Sequence, residues 1–212
     1  GRAQLCIDRV SELPEPQRTS AHWCLLADAH EAQGDWEDAV RALERAILLS
    51  PDADGRSALG LRRALILDGE LGLGDLAIDA IAQSVVDSPS PASFSDVVRD
   101  LLNRHGGWRV VAQQLKEAEG RKTGNEGALR MCLALIYSDA LGSTNAAEAF
   151  WAQAGTELRP ESYEGELFCL WLEAQGRWET LGGLYDGWNL EKEDAPSSME
   201  LRALSLERAG AP

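Results

Sequence analysis

Residues Ser20 to Pro51 read SAHWCLLADAHEAQGDWEDAVRALERAILLSP. Trp23, Leu26, Ala27 and His30 recur at the three- and four-residue spacing that places side chains on one face of an α-helix. Gly34-Asp35-Trp36 interrupts the pattern, and a glycine there gives the permissive backbone that ends a helix. Ala39, Leu43 and Ala46 resume helical spacing, and Pro51 stops it. Two antiparallel helices approach closely only where small residues face each other. Ala27, Ala39 and Ala46 allow that contact, while Trp23 and Leu43 fill the gaps beside it.

The same punctuation recurs along the chain. Gly34, Gly72, Gly106, Gly142, Gly176 and Gly210 are separated by 38, 34, 36, 34 and 34 residues. Such a period with two helices in each unit predicts a helical solenoid. The pattern Trp, Leu, small, aromatic, then Ala, large apolar, Ala, Pro resembles the tetratricopeptide repeat, with His30 departing where an aromatic is usual. The resemblance extends over about residues 3–210 and is clearest in the stretch quoted above. It implies an all-α, right-handed superhelical solenoid of antiparallel helix pairs.

Later copies carry fewer of the marks. The second has Leu61, Leu65, Gly72, Ala77, Ile81 and Pro89; the third has Val98, Gly106, Val111, Leu115 and Ala118, but Arg99 where a small residue belongs. The fourth has Met131, Leu135, Gly142, Ala147, Trp151 and Ala154. The fifth has Phe168, Cys169, Gly176, Leu181, Tyr185 and Trp188, with Gly182-Gly183 predicting a short, bent or displaced second helix. One solenoid over residues 1–212 is expected, with repeats at about 20–53, 58–91, 92–121, 126–160 and 162–190. A half-repeat at 3–14 precedes them and another at 196–210 follows, so the chain reads as a piece of a longer array.

Composition narrows the function. Twenty basic residues against 35 acidic give a net charge of −15, which opposes binding to nucleic acid or to an anionic membrane surface. No apolar run reaches the length needed to insert into a bilayer. Acidity is densest over residues 160–200, where ten acids face only Arg177 and Lys192. Cys6, Cys24, Cys132 and Cys169 lie within apolar helical patterns at no metal spacing, and they read as small apolar residues of a reducing, cytoplasmic compartment.

No motif for hydrolysis, phosphate binding or metal ligation occurs, so neither an enzyme nor a cofactor or metal is expected. Gly69-Glu70-Leu71-Gly72-Leu73-Gly74 falls at a repeat turn and reads as a loop; Asp52-Ala53-Asp54-Gly55 reads as a helix cap rather than a calcium loop. The resemblance implies that the first helix of each pair lines a concave groove for a partner peptide. Its register assigns to that groove Asp28, Glu31, Arg62, Ile66, Asp96 and Asp100, then Leu129, Cys132, Ile136 and Asp139, then Tyr163, Glu166, Leu170 and Glu173. Glu70, Asn103 and Arg104 fall in the same register. These residues predict an interaction scaffold for a basic segment with apolar anchors. Two other readings remain open: an accessory segment of a larger enzyme or export machine, and a module that self-associates end to end through its half-repeats.

Overall fold

A computed structural model describes residues 1–90, 94–121, 124–154 and 163–187, with side chains except at 163–164 and 185–187. Every regular element among the described residues is helical. In chain order they are α1 (Arg2–Ser11), α2 (Ser20–Glu31), α3 (Trp36–Leu49), α4 (Ala53–Gly69), α5 (Gly74–Asp87), α6 (Asp96–His105), α7 (Trp108–Glu119), α8 (Glu126–Leu135), α9 (Thr144–Ala154), α10 (Tyr163–Ala174) and α11 (Trp178–Gly187). The chain divides into two compact units: Gly1–Asn125 with Asp139–Gly142, and Glu126–Ser138 with residues 143–212. The proposed final half-repeat at 196–210 lies outside the described residues.

In the first unit α2 packs on α3, α3 on α4 and α4 on α5. The small residues meet as expected: Ala27, Ala39 and Ala46 are fully buried, with Leu43 between them. Gly34, Gly72, Gly106, Gly142 and Gly176 all hold φ between +62° and +79°. A Cβ is strained in that left-handed conformation, so the glycine period marks where helices must stop and reverse. Gly210 lies outside the described residues. Asp52 caps α4, its carboxylate accepting from the Gly55 amide at 2.6 Å, and residues 70–73 form the turn into α5.

The third helix pair departs from the first two. Arg99 is accommodated because its Nε donates to the Phe94 carbonyl at 2.8 Å. α5 packs against both α6 and α7. The α6–α7 turn presses closely on α5: a Cβ on Gly107 would lie 2.8 Å from Ile78 Cγ1, and one on Gly74 would lie 2.4 Å from the His105 ring. Trp108 is buried there, donating to Asn103 Oδ1 at 2.7 Å and lying 5.5 Å from the Phe94 ring.

In the second unit α8 packs on α9, and α10 packs on both α11 and α8. Trp151 is fully buried; its ring stacks on Phe168 at 4.9 Å and lies 5.9 Å from Trp171. A π-helical turn, Ile136–Ala140, continues α8. α11 runs unbroken through Gly182-Gly183.

Leu43→Ala deletes a side chain that is wholly buried between α2 and α3. It should cost about 2–5 kcal/mol of unfolding free energy in a urea titration. Leu48→Ala, at a side chain that is 74% exposed, should cost less than about 0.5 kcal/mol.

Candidate protein-binding surface

The first helices α2, α4 and α6 are linked by side-chain ion pairs. Arg62 of α4 reaches back to Asp28 at 2.5 Å and to Glu31 at 2.7 Å, both on α2. Asp68 of α4 reaches forward to Arg104 at 2.8 Å and His105 at 2.7 Å, both on α6. Four of the residues assigned to the groove by register are therefore engaged with one another or with Asp68. Arg62 and Arg104, the cations of that set within the first unit, are occupied. A partner's carboxylate would have to displace Asp28, Glu31 or Asp68 to reach them.

On these helices Asp54, which accepts from Ser88, and Asp96 and Asp100 hold no ion pair; neither does Glu70 just past the end of α4, and all four are exposed. The register did not single out the exposed apolar side chains of α2, α4 and α6 as groove residues. Leu25 is 48% exposed and three residues before Asp28; Leu65 is 40% exposed and three after Arg62; Val97 is 57% exposed and three before Asp100. That spacing places each on the face of its helix that carries the charged residue. The signal was present in the sequence as a lone apolar residue on a charged face. Only exposure distinguishes it from a core residue.

The expected apolar strip needs correction. Leu129, Cys132 and Ile136 are buried rather than presented to a groove, and so is Ile66. The reason lies in α8 itself: Met131, Cys132, Leu133 and Ala134 are four successive fully buried residues. Over that run the helix has no charged side chain to turn towards solvent; Glu126 and Arg130 both precede it. Asp139 and Glu166 are exposed, Glu173 is half-buried, and Leu170 is 54% exposed. The Tyr163 side chain lies outside the described set.

Local electrostatics match this arrangement. Burial alone would raise the Asp68 carboxyl, but the hydrogen bonds and positive charge of His105 and Arg104 outweigh it and hold Asp68 below the ordinary carboxylate range. Burial, aided by the Asp28 carboxylate, pushes the Cys24 thiol up, so it stays protonated and is a poor nucleophile. Among the described residues no group of three or more His, Cys, Asp or Glu side chains is gathered as a metal site requires. No helix among them is long and apolar enough to cross a membrane.

Residues 23–53 match the family model of the tetratricopeptide repeat, spanning α2, the Gly34 turn and α3. The chain therefore carries a tetratricopeptide repeat within an all-helical architecture of successive helix pairs. Such repeats are in general non-catalytic scaffolds for protein–protein interaction. No curated protein matches the chain.

A carboxyl held low in the folded state contributes stability above its unfolded pKa and loses it as pH falls through the folded value. Urea unfolding of Asp68→Asn should therefore show a deficit against the parent at neutral pH. The deficit should shrink steadily as the medium is acidified through the carboxylate range.

Proposed function

We propose that the chain is an interaction module that binds a basic protein segment with apolar anchors along the first-helix face of its N-terminal unit. The observation that carries this reading is exposed Val97 beside Asp100 on α6, with Asp96 and Glu70 also free of ion pairs and with Leu25 and Leu65 exposed on the two preceding first helices. Apolar side chains supply burial at about 25 cal/mol per Å² removed from water. The unpaired acids supply attraction for lysine and arginine, and a faster encounter at low salt. Internal pairing of Arg62 and Arg104 supports a cationic partner over an anionic one, because those guanidiniums are already neutralised.

The surface has moved from where the register alone had put its apolar part. Burial of Leu129, Cys132 and Ile136 removes the anchors expected in the fourth repeat. The anchors proposed in their place stand on α2, α4 and α6, and the unpaired acids they act with stand on α6 and at the end of α4.

A fluorescent peptide of alternating lysine and leucine is the probe. Asp96→Asn with Asp100→Asn should weaken its binding on the order of tenfold, equivalent to about 1.4 kcal/mol. Leu25→Ser with Leu65→Ser should weaken it further without changing the salt slope. Equal affinity of the parent for this peptide and for a glutamate–leucine counterpart would remove the reading.

A further inference from the structure

We propose that the cleft between α5 and α7 is a second interaction surface, and that it takes an acidic peptide segment. The cleft has a volume of 450 Å³ and is built wholly within the first unit. Its wall is Arg109, Gln113 and Glu117 along α7, one residue every four positions on one stripe, and Arg121 in the turn just past the helix end. Val86 from α5 and Val110 from α7 supply apolar surface, and Val110 is 40% exposed.

The arginines make this cleft unlike the rest of the molecule. The guanidiniums of Arg109 and Arg121 hold neither an ion pair nor a hydrogen bond. Apart from Arg2, the other described arginines each hold a carboxylate or a carbonyl oxygen. A hydrated guanidinium costs nothing by itself. What matters is that two of them occupy one concave site on a chain of net charge −15.

A second cleft makes the contrast. It measures 500 Å³ along α3 and also contains two arginines, Arg41 and Arg45. There Arg41 is bound to Asp38 and Arg45 lies 3.3 Å from Glu15, so its charge is balanced from within. In the α5–α7 cleft the one carboxylate, Glu117, accepts from Gln113 at 2.9 Å instead of pairing with an arginine. The site keeps two cations for an incoming acid.

Spacing defines the ligand further. At about 1.5 Å of rise, the ten positions from Arg109 to the end of α7 and the two of the following turn put Arg121 roughly 18 Å from Arg109. An extended chain covers that distance in about five or six residues at roughly 3.3 Å each. The occupant is therefore a short extended segment of a partner protein, with an acidic side chain near each end and an apolar residue between. Guanidinium forks bind carboxylates in two-point geometry, and the side-chain amides of Gln83 and Gln114 can both donate to and accept from its backbone. This surface lies on second helices and does not depend on the first-helix face proposed above.

The test is fluorescence anisotropy on the full chain with a labelled hexapeptide, Glu-Glu-Leu-Val-Glu-Glu. Saturable binding is expected, weakened about tenfold or more by Arg109→Gln with Arg121→Gln and by salt at roughly 0.5 M. Both arginines are exposed, so the variant should keep the circular dichroism spectrum of the parent. Asp96→Asn with Asp100→Asn should not weaken this peptide, which separates the two surfaces. The proposal is overturned by no saturation at millimolar peptide, by equal binding to the double arginine variant, or by equal binding of a Gln-Gln-Leu-Val-Gln-Gln peptide. It is also overturned, in favour of a second copy, by concentration-dependent self-association that the arginine variant abolishes.

Discussion

The close approach of paired helices is the constraint from which the rest of this structure follows. Ala27 on α2 meets the α3 face that carries Ala39 and Ala46, all without exposure, and Leu43 fills the space beside them. That contact needs the chain to reverse within a few residues, which is why Gly34 holds φ +79°. Larger side chains at the alanines would separate the helices, and a Cβ at the glycine would strain the reversal. Repetition of the reversal at Gly72, Gly106, Gly142 and Gly176 sets where the second helix of each following pair begins.

Polar contacts record the same period without holding the fold. Arg62 pairs with Asp28 and Ser88 donates to Asp54, each across 34 residues, and Arg104 pairs with Asp68 across 36. Pairs at exposed positions contribute only about 0–1 kcal/mol each, far less than the buried apolar contacts. Their effect is on charge. Arg62 offsets one of the two charges of Asp28 and Glu31, and Arg104 offsets that of Asp68, so the surface charge of α2, α4 and α6 is less negative than a count of acids implies. Asp54, Glu70, Asp96 and Asp100 hold no ion pair.

The two proposed surfaces have opposite polarity for one reason. On the first helices Arg62 and Arg104 are taken by neighbouring carboxylates. In the cleft of the second helices α5 and α7, Arg109 and Arg121 hold no carboxylate, since Glu117 accepts from Gln113 instead. An acidic chain can thus present a cationic cleft, because pairing depends on which side chains lie within reach and not on the total.

Local pattern in the sequence was enough for the elements. Trp23, Leu26, Ala27, Ala39, Leu43 and Ala46 specify the α2–α3 hairpin by spacing and size, and the glycine period specifies the turns. The Asp52 cap and the loop at residues 70–73 were equally legible, since capping and reversal are local events. The uncharged run from Met131 to Ser138 was a visible sign that the C-terminal part of α8 has no charged face, yet helical register alone placed Leu129, Cys132 and Ile136 in a groove. Register states which residues share a side of a helix; it does not state what covers that side. Burial of those three, exposure of Leu25, Leu65 and Val97, and the freedom of Arg109 and Arg121 beside the occupied Arg62 were decided by tertiary structure. Each depends on a neighbour brought close by the fold, and the Arg62 and Arg104 pairs reach across a whole repeat.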